Sequence, residues 1–318
     1  MPLRCKQEFF LPPNTENETK MKNWTMWTLS LLFVCGLMMS RDAAVFASDK
    51  GDTAIKIMSF NIRLETPVDK ENGWDFRKAV LLEEIVANNP DLLGVQEAKW
   101  VQMEYLIAGL PGYGWIGVGR DDGKHGGEFS AVFYKKERFE AIDSGTFWLS
   151  QTPDVPGSLG WDAACRRVVS WGKFQVKARP DRVFVYANTH FDHIGKVARA
   201  ESAKLIQTRL KEIAGKLPLM ASGDYNCLND SDVYKILTSG PDGKGGFIDS
   251  NPAAKERVMP VKRTFHDYGK VPGDTARIID YIFVNDKVRV DRFTICPEKR
   301  GGRFTSDHNP IIADCRID

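Results

Sequence analysis

The chain has 318 residues, 44 Lys/Arg against 42 Asp/Glu for a formal net charge of +2, 42% hydrophobic residues and six cysteines. That apolar content excludes a disordered or low-complexity chain. The near neutrality argues against a protein that grips long duplex nucleic acid mainly by counterion release, since such proteins carry a basic excess or stripe.

Taken from the front, residues 21–47 read MKNWTMWTLSLLFVCGLMMSRDAAVFA: a Lys, an apolar stretch from Trp24 to Met39, then small residues before Ser48. This is the order of a secretory leader, so residues 1–47 are expected to be an upstream extension plus signal peptide, with the true start at Met21 and cleavage after Ala47. The alternative, a retained membrane anchor, is weakened because the apolar run falls short of the ~20 residues a span needs. A lipid anchor on Cys35 is disfavoured by the bulky Val34 before it. Removing residues 1–47 takes five Lys/Arg and four Asp/Glu away and leaves 39 against 38, a charge of +1. No linker, repeat or Pro/Gly-rich tract divides residues 48–318, which are therefore expected to form one domain, exported to the periplasm or the medium. Its four cysteines (165, 227, 296, 315) allow three pairings in an oxidising compartment or equally well buried thiols; Cys296 and Cys315 are the pair to test.

Strand-like segments follow at 55–62, 91–97, 130–136, 168–176, 182–191, 217–226, 277–284 and 310–317, several of them continuously apolar as in strands buried on both faces. Helical periodicity marks 76–89, stopping at Pro90; 197–216, with Gly215 near its end; and 231–240, with Asp230 or Ser231 as N-cap. Strands interspersed with helices indicate layered sheets with helices outside. The loops 120–128 and 150–164 are long enough to be functional.

Polar groups recur where these strands end: Asn61, Glu97, His190, Asp224 and Asn226, with Asp280 within an apolar strand and Asp307-His308 before the last one. Taken singly, each has a plainer reading. Glu97 reads as a helix N-terminal acid, Asp224 to Asn226 as an Asx turn, and His190 as a half-buried core histidine. Asp280 is harder to dismiss, because a carboxylate inside an apolar strand needs a partner, and His308 is the candidate. Ligands bind beyond strand ends in layered sheets, so these groups are expected to converge.

The strings SFNIR, VQE, NTHFD, GDYN, IDYIF and SDHNP occur in this order over residues 55–317. Together they resemble the endonuclease/exonuclease/phosphatase superfamily, the metal-dependent phosphohydrolases that include deoxyribonuclease I, AP endonucleases, deadenylases, inositol-polyphosphate phosphatases and bacterial sphingomyelinases. The resemblance implies a four-layer α/β sandwich of two packed mixed sheets flanked by helices. It implies a Mg²⁺ or Mn²⁺ held by Glu97 with Asn61 beside it and Asp307 adding a carboxylate, which suits a hard cation. Asp224 would orient or deprotonate the attacking water, Asn226 would hold a phosphate oxygen, and His190 and His308, the latter steered by Asp280, would bracket the phosphate.

Arg63 stands where some relatives carry an acid and is expected to contact phosphate. Residues 147–171 resemble a segment of bacterial members, in which Arg167 would reach the phosphate with Trp148 and Trp161 near the mouth, although a Trp in such a Gly/Pro loop is as often a packing anchor; His266 with Phe265 would lie on the rim. Lys299, Arg300 and Arg303 read most simply as a solvated charged loop; the alternative is that they raise local anion concentration. The expected activity is hydrolysis of a phosphate ester in a phosphorylated small molecule, short nucleic acid or phospholipid head group. No stable protein partner and no span in the mature chain are expected. The rival reading is an exported binding protein that keeps the fold without catalysis.

Overall fold

A computed structural model describes residues 53–317 apart from 241, 242, 244, 274 and 276. The leader read in residues 1–47 lies outside the described residues. Among them, no helix is long and apolar enough to cross a membrane.

In chain order the main elements are β1 (Ala54–Asn61), α1 (Trp74–Asn88), β2 (Leu92–Ala98), α2 (Trp100–Gly109), β3 (Tyr113–Ile116), β4 (Phe129–Lys135), β5 (Phe139–Trp148), β6 (Val168–Val176), β7 (Arg179–His190), α3 (Lys196–Ala214), β8 (Leu219–Asp224), α4 (Asp232–Ser239), β9 (Ile248–Asp249), β10 (Glu256–Val258), β11 (Asp280–Val284), β12 (Val288–Ile295), the two-residue β13 (Lys299–Arg300) and β14 (Arg303–Phe304), and β15 (Ile311–Ile317). Their ends follow local chemistry. Helix α1 closes on Asn89, which takes the left-handed conformation (φ 48°) ahead of Pro90, and the Ser231 hydroxyl accepts from Tyr234 N to start α4.

Two mixed sheets result. One has the order β10-β12-β15-β1-β2-β4-β3, the other β5-β6-β7-β8-β11-β9. Three apolar clusters show the layering: Ile57 and Leu92 of the first sheet meet Phe184 and Met220 of the second between them. The outer face of the first sheet packs Phe60 and Val95 under Leu81 and Ile85 of α1 and Met103 of α2, and that of the second packs Val185 and Phe283 under Ile206 and Leu210 of α3 and Leu237 of α4. The four-layer α/β sandwich expected from the motifs is the observed fold.

Near the site a polar seam crosses the sheet interface. Asn188 donates to Val95 O (2.8 Å) and Ala131 O (3.0 Å), and its Oδ1 accepts from Gln96 (2.6 Å) and from the Ser222 hydroxyl (3.0 Å). The buried Asn188 amide is thereby satisfied at both its nitrogen and its oxygen, and the seam fixes the height of one sheet over the other.

Among the described residues, Cys165, Cys227, Cys296 and Cys315 are free thiols. Cys315 belongs to the cluster between the sheets and Cys296 to the one under α1. They therefore face opposite sides of one sheet. Since Cys315 pairs with Val290 while Cys296 N bonds Pro310 O, they also lie about five residues apart along β15, roughly 16 Å at strand rise, far beyond disulfide reach.

Candidate active site

The register brings the predicted groups together before any side-chain chemistry is considered. In the second sheet the last residue of β7 pairs with the last of β8, which pairs with the first of β11, so His190, Asp224 and Asp280 stand in one row. In the first sheet β1 ends at Asn61, β2 carries Glu97 near its end, and Asp307-His308 precede β15. The two sheet ends face across a cleft of about 420 Å³.

Backbone geometry aims several of these residues. Glu97 sits at φ 66° where the β2–β4 register shifts between Val95 and Ala98, a bulge that turns the carboxylate out of the sheet toward the cleft. Arg63 (φ 55°) and Asn226 (φ 46°) also lie in the left-handed region. Strained conformations of non-glycine residues concentrate at such sites.

On one wall, Asn61 is fully buried; its Nδ2 donates to Glu97 Oε1 and Asp224 Oδ2, both at 3.0 Å, and its Oδ1 accepts from Arg63 N at 3.0 Å. Its amide is thus spent bracing two carboxylates. Glu97 Oε2 accepts from Leu64 N at 3.0 Å. The Arg63 guanidinium, held by two 3.0 Å bonds to Asp69, lies 3.9 Å from Glu97 and 3.8 Å from Asp307 Oδ2. Burial would raise the Glu97 carboxyl, but the Asn61 bond, the His308 charge, Leu64 N–H and Arg63 hold it below the usual range. Asp307 is pushed up by burial.

On the other wall, His308 Nδ1 meets Asp280 Oδ2 at 2.9 Å, leaving Nε2 3.7 Å from Asp224 Oδ2. Burial by itself would discharge the ring, yet Asp280, with Asp224 and Asp307 beyond it, lifts His308 to about 10. Asp224 is pushed up to about 7 by burial and then by Asp280, against His308 and its own hydrogen bonds. His190 differs: burial, followed by the positive Arg167 and Arg120, holds it well below its ordinary value and therefore neutral. Its Nε2 accepts from Asn226 at 3.0 Å and lies 3.5 Å from Asp224. Asn226 also donates to Phe191 O at 3.0 Å, so in this arrangement it fixes the His190 ring. The site pairs a charged imidazole with a neutral one across a carboxylate able to take a proton near neutrality.

Arg167 lines the cleft, 5% exposed. Three of the expected binding residues stand elsewhere. His266 is wholly buried, its ring 5.2 Å from that of Phe304, and burial lowers it to about 4; it is a packing residue and not a rim contact. Trp148 is 4% exposed and donates its indole N–H to Arg120 O at 2.7 Å, which makes it a prop for the loop beneath. Trp161, at φ 48°, does not line the cleft. Arg120, Glu128 and His193, none of them among the expected site residues, also line it. The signal was present: the first two bound the 120–128 loop, and His193 follows His190 by three positions.

Comparison with known proteins agrees with this geometry. A family model described as the endonuclease/exonuclease/phosphatase family matches residues 58–308. A solved Bacteroides vulgatus protein of that description is 41% identical, with a TM-score of 0.80 over 84% of this chain and 100% of that one. The mannosyl-6-phosphatase of Bacteroides thetaiotaomicron is 36% identical, with a TM-score of 0.76 over 83% of this chain and 100% of its own. An uncharacterized protein of Acanthamoeba polyphaga mimivirus is 25% identical over 272 residues, 81% of this chain and 98% of its own length, whereas the chain spans 34% and 30% of two further curated relatives. With the matched span running from the middle of β1 to His308, the chain belongs to the endonuclease/exonuclease/phosphatase family.

Proposed function

We propose that the protein hydrolyses phosphate esters by attack of water on phosphorus, assisted by a divalent cation. The observation that carries this reading is the meeting, in one cleft, of a carboxylate pair (Glu97, Asp307) with an acid/base group (Asp224, His190, His308) drawn from four separate strand ends.

The donor set fits a hard cation. Both carboxylates offer oxygen, Glu97 is held ionised, and Asp307 Oδ2 accepts a hydrogen bond from no described residue while the Arg63 charge hovers within 4 Å of both. Glu97 and Asp307 would hold Mg²⁺ or Mn²⁺, with Asn61 bracing Glu97. When bound, such an ion neutralises phosphate oxygens as charge develops.

The chain's own groups account for the remaining work. Asp224, fixed by Asn61 and by Asn226 N at 2.9 Å, orients a water and takes its proton. Charged His308, its ring oriented by the Nδ1 bond to Asp280, donates from Nε2 to a phosphate oxygen or to the leaving oxygen. Neutral His190, its Nε2 taken up by Asn226, packs beside Asp224 without adding charge. Phosphoryl transfer needs little covalent chemistry from the protein, so positioned charge of this kind is the main contribution.

The likeness to a mannosyl-6-phosphatase favours a phosphorylated small molecule as the first substrate to try, ahead of oligonucleotides and phospholipid head groups. A hydrolysis panel over those classes with Mg²⁺ or Mn²⁺, run in ¹⁸O-water, tests the proposal: label is expected in the phosphate and none in the alcohol. Label in the alcohol, or no turnover of any class by protein that binds the ion, favours attack at carbon or a binding protein instead.

A further inference from the structure

One face of the cleft has no part in the steps above. Glu128, just before β4, lies between two guanidiniums: Arg120 reaches its Oε2 at 2.5 Å and Arg167 approaches the same oxygen at 3.8 Å. Arg167 is almost completely enclosed, yet neither its Nε nor one of its terminal nitrogens finds an acceptor. Its other terminal nitrogen meets His193 Nδ1 at 3.1 Å. Asp192, 3.8 Å from Arg167, is committed to the backbone N–H groups of Cys165, Ile194 and Gly195. Arg120 Nε is likewise enclosed and unmet. Buried guanidinium donors left open are costly and occur where something else completes them.

The group is built rather than incidental. Arg120 N donates to Glu128 O at 3.1 Å and the Trp148 indole holds Arg120 O. The 120–128 loop is also wedged against the 150–164 loop, where a side chain on Gly157 would strike the Asp121 carbonyl. Both arginines act on His190, where they are the largest influences after burial, so the face adjoins the position of the phosphate.

We propose that Arg120, Glu128, Arg167 and His193 form a subsite for adjacent hydroxyls on the alcohol part of the substrate, a sugar-like polyol. This rests on the hydrolase reading above for the site of the phosphate. Guanidinium only donates and carboxylate only accepts, while each hydroxyl does both, so a carboxylate flanked by guanidiniums matches a pair of neighbouring hydroxyls. A second phosphate would meet the Glu128 charge. A nucleobase would lack a platform: the cleft's one Phe/Tyr/Trp ring among the described residues is Phe265, which packs on His308 with ring centroids 5.0 Å apart and is covered by Arg277 at 5.0 Å, whereas bases are held by open aromatic faces.

The test compares a hexose 6-phosphate with p-nitrophenyl phosphate, which has no hydroxyls, in kcat/KM and in calorimetric binding. The wild-type protein is expected to prefer the hexose phosphate. Glu128→Gln and the conservative Arg167→Lys should lower its kcat/KM by roughly 10- to 100-fold more than they lower that of p-nitrophenyl phosphate. Equal losses on both substrates, or no preference in the wild type, would overturn the subsite. A ribonucleoside 5′-phosphate showing the same Glu128 dependence would support it and assign the hydroxyls to ribose. Selective binding without turnover would keep the subsite and refute the hydrolase reading; turnover without selectivity would do the reverse.

Discussion

Asp280 decides the state of His308. With the imidazole lifted from near 6.5 to about 10, the charged form stabilises the fold below about pH 6.5, and that contribution is lost as the pH rises toward 10. The urea midpoint of the wild-type protein should therefore fall between pH 7 and pH 10, and Asp280→Asn should flatten that part of the profile; parallel slopes in the two proteins would contradict the pairing. Asp224 carries the opposite burden. Because its carboxyl is raised to about 7, the ionised form that takes a proton from water is one the fold resists above neutrality. Asp224→Asn is thus expected to raise the melting temperature at pH 8 by a few degrees while lowering turnover by about 10³-fold or more. At the carboxylate pair, Glu97→Gln should weaken Mg²⁺ binding in calorimetry by more than about tenfold, with the fold intact by circular dichroism.

At the scale of elements, the sheet interface sets the spacing of the two walls, and Gly94 is where it is tightest. A Cβ on Gly94 would come within 2.5 Å of Asn188 Oδ1 and also meet the Ser222 hydroxyl. Gly94→Ala should accordingly cost about 2 kcal/mol in urea unfolding and reduce turnover, although the residue touches no reacting group; an unchanged midpoint would show that the seam gives way freely. The strands legible in the sequence are those whose apolar residues run continuously or alternate regularly, such as β6, whose bounds of Val168 and Val176 match the expected 168–176. Strand β5 escaped because all six residues from Glu140 to Gly145 are exposed or partly so, in a stretch ending Asp, Ser and Gly. Strand β12 was hidden by the register shift between Val290 and Arg292, which breaks alternation at that point. The site was more legible than the sheet edges, since its residues had to stand at strand ends, where polar groups interrupt apolar runs. What one sequence could not reveal was which aromatic residues face the cleft: Trp148 and His266 sit in loop-rich stretches that resemble a rim, yet their rings are consumed by packing.

For the molecule as a whole, charge is nearly balanced, and in the cleft burial is the largest influence on Asp224, Asp307 and His190. The leader read in residues 1–47 predicts export, which fractionation of cells expressing the full chain checks by a shortened protein outside the cytoplasm. The central claim is that the cleft between the sheet ends hydrolyses phosphate esters with a divalent cation. The most direct measurement is turnover of a hexose phosphate and of bis-p-nitrophenyl phosphate by wild type and Asp224→Asn, each with Mg²⁺ and with chelator. Wild type with the ion is expected to turn over at least one of them, and both the chelator and the substitution are expected to abolish it. Turnover that survives in Asp224→Asn, or that is indifferent to chelation, would contradict the claim.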